Sequence, residues 1–384
     1  MDKHTNNTSK VEFDYSEYMQ RIEKESIPAY EPTFKANELK NLEDVMRSGW
    51  ISEGKYSRAC EEFLSRYCNR GGAVITNSGT AALVIGMKAC NIGSGDEVIV
   101  PSLSHSADPN SVASIGATVK FSDVNLDTLC LDADSITKQL TSKTKAILNV
   151  CAYGSSGNLD EIEQLAKDEG LVLINDCAPA LGCLYNDKPM ASYGDFSMLS
   201  FFADKTVTMG EGGMLLTNSK NILSKANIFK HDGRRERGHD LIEEVGYNFR
   251  LTELQSAIGL AQLNRINDTL SKKKEVQNKY IEALSKNNRV ELFKLPLKVN
   301  GSLHRNIIFV KNASDVINQL VDKGIGARSL FHPMHRQPVY GASGDFTNTE
   351  QLFQTGICLP SAPTLTSNEV KYIANCIEEV LHDK

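Results

Sequence analysis

One lysine and one aspartate occupy positions that favour cofactor chemistry. Residues 200–213 place Lys205 between an apolar run and a glycine-rich turn, and the earlier apolar run 171–175 is followed directly by Asp176. A lysine amine and a carboxylate at the ends of neighbouring strands suit a Schiff base to pyridoxal 5′-phosphate (PLP), with the carboxylate on the pyridine nitrogen. The pair predicts a PLP enzyme, whereas a surface lysine and a helix-capping aspartate are the alternative interpretation.

Two further segments carry groups that suit a charged ligand. Residues 77–82, Asn-Ser-Gly-Thr-Ala-Ala, join a predicted strand to a predicted helix. Small residues and a helix N-terminus favour phosphate binding there, although an ordinary capped helix explains them as well. Residues 246–252, Gly-Tyr-Asn-Phe-Arg-Leu-Thr, combine polar, aromatic and cationic groups before another helix. Together with Asp176 and Lys205, these segments make four groups. Their order along the chain is a more specific signal for a cofactor site than any one group alone.

Alternating strands and helices position these groups. Apolar runs predict strands at 73–76, 97–101, 118–121, 146–150 and 171–175. Between them, apolar residues at helical spacing predict helices at 80–90, 110–115, 135–140 and 159–169. This rhythm predicts an α/β fold with a mostly parallel sheet and helices on both faces. Ligands bind such sheets at the carboxyl ends of the strands, where three of the four groups are predicted to lie. The fourth, at 246–252, is predicted on a later loop.

The pattern changes after about residue 255. A long helix is predicted over 252–284 with an interruption near Asn267, followed by a strand at 306–310 and by helices at 313–323 and 367–382, the last capped by Ser367. This α+β pattern predicts a second, smaller domain. The predicted parts are an N-terminal arm, a large domain and a small C-terminal domain: 1–30, 31–265 and 266–384.

The composition limits the partners. The chain has 384 residues, 41% hydrophobic and 23% charged, with a net charge of −6 and no long basic run, which argues against nucleic acid and anionic membranes. The N-terminus lacks the apolar segment of a signal peptide, and the nine scattered cysteines suit a reducing compartment, so a cytoplasmic protein is predicted. No metal site is predicted, because His332 and His335 lack accompanying ligands.

Together, these motifs resemble the DegT/DnrJ/StrS sugar aminotransferases, which are PLP-dependent enzymes of fold type I. The resemblance extends from about Ile27 to the C-terminus and depends most on five motifs: Ser-Gly-Thr-Ala-Ala-Leu at 78–83, Gly-Asp-Glu-Val-Ile-Val-Pro at 95–101, Asp-Cys-Ala at 176–178, the segment 200–213 and the segment 246–252. It implies a large PLP-binding domain and a smaller C-terminal α+β domain.

The resemblance also implies roles for individual residues. Lys205 would carry the Schiff base and act as acid and base in the 1,3-proton shift, and Asp176 would pair with the pyridine nitrogen. Asn248 would reach the cofactor phosphate from a second subunit, so a homodimer is expected. Three residues would hold that phosphate within one subunit: Gly79, Thr80 and Ser200.

Two positions differ from the usual pattern of the family. His105 takes the place of the Trp, Tyr or Phe that stacks on the pyridine ring, and it is expected to stack there less extensively. Pro179 replaces a Gln, His or Glu that approaches the phenolic oxygen of the cofactor. These differences concern the substrate more than the Schiff base.

The resemblance implies transfer of an amino group, most simply from L-glutamate, to a nucleotide-linked keto-deoxy sugar used for a surface polysaccharide. His105 and Pro179 motivate an alternative acceptor, a small phosphorylated ketone such as dihydroxyacetone phosphate, for a capsule component. A non-catalytic regulator with a PLP fold is a third hypothesis, against which the presence of Lys205 and Asp176 argues. The identity of the keto acceptor stays open at this point.

Overall fold

A seven-stranded sheet lies at the centre of the computed structural model, which describes residues 27–236, 238 and 240–382. The strands follow the order β1-β9-β8-β5-β4-β2-β3 across the sheet. In chain order they are β1 (Gly72–Thr76), β2 (Glu97–Pro101), β3 (Thr118–Ser122), β4 (Thr144–Val150), β5 (Val172–Asp176), β8 (Phe196–Ser200) and β9 (Gly213–Thr217).

The sheet is mostly parallel, as predicted. Strands β3, β2, β4, β5 and β8 run parallel to one another, whereas β9 pairs antiparallel with both β8 and β1. The strands are short and largely buried, because helices cover both faces. These helices are α1 (Ala36–Ser48), α2 (Lys55–Tyr67), α3 (Gly79–Ala89), α4 (Ala107–Ser114), α5 (Ala133–Thr137), α6 (Leu159–Asp168), α7 (Lys220–Lys230) and α8 (Glu253–Leu263).

The long helix predicted over 252–284 is two helices, α8 and α9 (Ile266–Leu284), and the break between them lies near Asn267, as predicted. Arg265 leaves the helical conformation with φ −122° and ψ 20°. Its guanidinium donates to the Thr33 carbonyl at 2.7 Å and forms an ion pair with the buried Glu38 carboxylate. These contacts with the segment before α1 fix the position of the break.

The C-terminal part contains a separate antiparallel sheet in the order β10-β12-β14-β13. Its elements are β10 (Glu291–Leu292), β12 (Asn306–Phe309), β13 (Arg328–Ser329), β14 (Gly356–Leu359), α10 (Ala313–Asp322), α11 (Thr347–Thr355) and α12 (Ser367–His382). The cap of α12 is Thr366 rather than the predicted Ser367, because the Thr366 hydroxyl accepts from the Glu369 amide at 3.2 Å and the Glu369 carboxylate accepts from the Thr366 amide at 2.8 Å.

A small third sheet joins the two parts of the chain. It consists of β6 (Leu184–Tyr185), β7 (Lys188–Pro189) and β11 (Val299–Asn300). Most of the predicted arm, residues 1–26, lies outside the described residues, but Ile27 forms a parallel bridge with Ile325 of the C-terminal part. The division at 265–266 stays a prediction. Within the described residues, no helix has the length and apolar character needed to span a membrane.

Candidate active site

A cavity of about 620 Å³ opens at the carboxyl ends of β5 and β8, where the sequence predicts a ligand site. Its walls come from the start of α3, from the segment after β8 and from the C-terminal sheet. Six of the predicted site residues line it: Gly79, Thr80, His105, Asp176, Ser200 and Lys205. The seventh, Asn248, is not among its lining residues.

Asp176 is the last residue of β5 and is only 3% exposed. Its Oδ1 accepts a hydrogen bond from the Ala178 amide at 2.7 Å. Burial raises the pKa of this carboxyl, while hydrogen bonds from Asp108 and Ala178 and the nearby Lys205 act in the opposite direction. The group is therefore a buried acceptor at the wall of the cavity, and a cationic N–H would stabilise its ionised form.

Lys205 lies in a loop five residues beyond the end of β8, which corrects the expectation that it ends a strand. The Tyr30 hydroxyl donates to the Lys205 carbonyl at 2.9 Å, and the Lys205 amide donates to the Phe202 carbonyl at 3.0 Å. Only 18% of the lysine side chain is exposed. Burial lowers the pKa of its amine, which increases the fraction of unprotonated, nucleophilic amine at neutral pH.

A half-buried ion pair connects the lysine loop to the C-terminal part. Arg305 donates to the Asp204 carboxylate at 2.5 Å and to the Ala29 carbonyl at 3.2 Å, and its guanidinium lies 5.1 Å from the centre of the Tyr30 ring. Asp204 also lies 4.0 Å from the Lys205 amine. The sequence does not predict this pair, because its members are 101 positions apart.

The start of α3 is packed closely against the sheet. The Ser78 hydroxyl caps the helix by accepting from the Ala81 amide at 3.1 Å. A Cβ on Gly79 would lie 2.9 Å from the Met198 sulfur, and one on Gly213 would lie 2.3 Å from the Ser78 carbonyl oxygen. Gly213 is therefore required for the close approach of the helix start to the sheet, and Gly79 lets it lie against Met198 and Ser200, where its first amides border the cavity.

His105 also lines the cavity, and its contacts fix the orientation of its ring. Its Nδ1 accepts from the Ala107 amide at 3.1 Å, and its ring meets the Phe331 ring edge-on at a centroid distance of 5.9 Å. Burial and the neighbouring Lys205 lower the pKa of the imidazole, which favours the neutral ring. Phe331 in turn stacks on the Tyr153 ring at a centroid distance of 4.9 Å. Sequence reasoning missed Tyr153.

Two positions singled out from the sequence remain, Pro179 and Asn248, and only the first lines the cavity. Pro179 lines the cavity, so the side-chain donor expected from the resemblance is absent there. Asn248 is exposed and forms an isolated antiparallel bridge with His231. Its contact with a cofactor phosphate through a second subunit stays a prediction.

Sequence reasoning also missed Asp108, in the first turn of α4. It is fully buried, with an exposed fraction of 0%. Its carboxyl lies within hydrogen-bonding reach of Asp176. The sequence signal was an aspartate at a helix start, which usually indicates a surface cap.

These groups fit PLP. An amine of lowered pKa and a buried carboxylate line the same cavity, as the aldehyde and the pyridine nitrogen of PLP require. The glycine-dependent approach of α3 to Ser200 leaves a helix N-terminus with adjacent hydroxyls for a phosphate. A flat ring between the two ends would lie beside His105.

Solved structures with this fold define the class of protein. The aminotransferase TlmJ from Streptoalloteichus hindustanus has a TM-score of 0.89 and 25% identity, with coverage of 93% of this chain and 99% of that chain. The PLP form of a Streptococcus pneumoniae protein has a TM-score of 0.88 and 26% identity, with coverage of 93% and 99%. The fold is that of the PLP-dependent aminotransferases.

The chain belongs to the DegT/DnrJ/EryC1/StrS aminotransferase family, whose model matches residues 32–378. A curated relative, the GDP-perosamine synthase of Escherichia coli O157:H7, is 36% identical over 366 residues, which cover 93% of this chain and 99% of the relative. The protein is therefore an enzyme, an aminotransferase that uses PLP. The hypothesis of a non-catalytic regulator is not retained.

Proposed function

We propose that this enzyme transfers an amino group from an amino acid, L-glutamate, to the keto group of a nucleotide-linked keto-deoxy sugar. The observation that carries the proposal is the cavity in which Lys205 and Asp176 meet the helix start at Gly79. The similarity to a GDP-perosamine synthase over nearly its full length supports the sugar acceptor. The product would serve a surface polysaccharide, and the reaction would take place in the cytoplasm.

Each residue has a proposed role in this reaction. Bound PLP supplies an electron-withdrawing ring that accepts the electron pair released at the amino-bearing carbon. The Lys205 amine would hold the cofactor covalently and would serve as the acid and base that moves the proton. Asp176 would accept a hydrogen bond from the pyridine N–H and would favour the protonated ring. Four other residues bind the cofactor: Gly79, Thr80 and Ser200 at the phosphate and His105 at the ring.

A substrate panel tests the acceptor. With L-glutamate as the donor, the purified enzyme is expected to form 2-oxoglutarate at least about tenfold faster with a nucleotide-linked 4-keto-6-deoxy sugar than with dihydroxyacetone phosphate. His105 and Pro179 line the cavity. They motivate the small phosphorylated ketone as the second candidate, because the resemblance implies an aromatic ring and a polar side chain at these positions. A faster rate with dihydroxyacetone phosphate than with the nucleotide-linked sugar would contradict the sugar acceptor and favour the small phosphorylated ketone.

We also propose that the active unit is a homodimer with shared sites. Large apolar side chains are exposed before and along α1, in the loop after it, near Lys205 and in the segment 241–245: Phe34, Met46, Trp50, Phe202, Ile242 and Val245. Exposed apolar side chains in such number favour a protein partner. A second copy would cover them and would bring Asn248 to the phosphate of the neighbouring site.

Mixed dimers test this arrangement. Subunits carrying Lys205→Ala and subunits carrying Asn248→Ala are each expected to be nearly inactive alone. If the site uses Lys205 of one subunit and Asn248 of the other, each mixed dimer contains one intact site. Unfolding and refolding the two variants together should then restore about a quarter of the wild-type activity, as random pairing predicts. Absence of recovery in dimers shown to be mixed by mass spectrometry would contradict the shared site.

A further inference from the structure

A second buried carboxyl lies beside Asp176 and has no role in the reaction described above. Asp108 is 0% exposed and is not among the residues that line the cavity, whereas Asp176 lines it. The two carboxyl groups are within hydrogen-bonding reach of each other. Asp108 therefore contacts Asp176 from inside the protein.

The surroundings of Asp108 do not suit a charge. Among the residues that the structure describes, none donates a hydrogen bond to either of its carboxyl oxygens. The nearby Ser104 hydroxyl donates to the His105 carbonyl at 3.3 Å, and it lowers the pKa of the Asp108 carboxyl less than burial and Asp176 raise it. A buried carboxylate without a donor is strongly destabilised, and two ionised carboxylates offer each other only acceptors. A hydrogen bond between the two groups requires a proton on one of them.

The charged neighbours indicate which group holds that proton. Asp176 already accepts from the Ala178 amide, and Lys205 and His105 favour its ionised form. Burial and the Asp176 charge instead raise the pKa of Asp108 well above its usual value, and the Ser104 hydroxyl and Lys205 oppose this only in part. The proton is therefore better placed on Asp108.

We propose that Asp108 is protonated in the folded enzyme and donates a hydrogen bond to the Asp176 carboxylate. The pair then carries one negative charge, and Asp176 is held facing the cavity. Asp108 is a positioning residue, since it acts through Asp176. The effect on catalysis rests on the proposed role of Asp176, whereas the proton itself is tested in the apoprotein.

The first test compares the wild-type apoprotein with Asp108→Asn, which keeps a donor but has no ionisable group. The infrared band of a protonated carboxylic acid is expected at neutral pH in the wild type and should be lost in the variant. Persistence of the same band in the variant, or its absence from the wild type, would overturn the proposal.

The second test follows unfolding against pH. A proton held by folded Asp108 is released on unfolding above about pH 4, so stability falls as pH rises towards the folded pKa. The unfolding constant of the wild type, divided by that of Asp108→Asn, should therefore rise by up to about tenfold per pH unit. Asp176, Lys205 and His105 are present in both proteins. A ratio that does not change with pH would show that Asp108 is ionised in the folded state.

The third test uses the PLP-loaded enzyme and the half-reaction with L-glutamate. Asp108→Asn should keep kcat/KM within a few-fold, whereas Asp108→Ala should lose about 10- to 100-fold because Asp176 is no longer held. Equal losses in both variants would contradict positioning through a hydrogen bond. If Asp176→Asn is fully active while the two apoprotein tests succeed, the proposed function fails and the proton assignment stands.

Discussion

Replacing Lys205 with alanine is expected to slow amino transfer from L-glutamate by at least about 10³-fold. The side chain is the amine of lowered pKa in the cavity, and burial is the largest cause of that shift. Without it, no group at this position forms the covalent link to PLP or carries the proton. The rate is measured as 2-oxoglutarate formation at saturating PLP.

Two matched variants separate this effect from a loss of structure or charge. Lys205→Arg keeps the positive charge but has a guanidinium that does not deprotonate, so it should be as inactive as the alanine variant. Lys220→Ala removes an exposed lysine at the start of α7 and should leave the rate unchanged. A folded Lys205→Ala enzyme that retains more than a tenth of the wild-type rate would contradict the assignment.

Replacing Asp176 with asparagine is expected to slow the same half-reaction by about 10²- to 10³-fold. Asparagine has nearly the same shape, and its side-chain oxygen can still accept from the Ala178 amide. What it lacks is the negative charge that would keep the pyridine nitrogen protonated. The loss should therefore appear in kcat, measured by stopped-flow absorbance, more than in the KM for L-glutamate.

Asp195→Asn is the control for this substitution. Asp195 precedes β8, and its carboxylate accepts from the Leu173 amide at 2.8 Å, outside the cavity. Its loss should affect stability by about 1 kcal/mol and should leave the half-reaction unchanged. If Asp176→Asn behaves like this control, the aspartate has a structural role and does not serve the pyridine nitrogen.

The sequence predicted the parts of the fold that depend on local patterns. The alternation of apolar runs with helical spacing identified β1 to β5 and their helices within a few residues, because each element is largely specified by its own residues. Strand β9 was not predicted. Its run Gly-Met-Leu-Leu-Thr is short and apolar, and its antiparallel place between β1 and β8 depends on residues distant in the chain.

The same limit applies to the site. Lys205 and Asp176 were found because each belongs to a local motif with a recognisable order along the chain. Asp108 and the Arg305–Asp204 pair were not found from the sequence. The role of each of these charged groups depends on a partner that is distant in the chain and is brought close only by folding. The position of Lys205 in a loop beyond β8 likewise depends on contacts with Tyr30 and Arg305.

Chemical fixation of the cofactor tests the central claim most directly. The PLP-loaded enzyme is reduced with borohydride, digested and analysed by mass spectrometry. A single phosphopyridoxyl group is predicted on the peptide that contains Lys205, together with loss of the visible absorbance. Attachment to a different lysine, or no attachment in an enzyme that still transfers amino groups, would contradict the account.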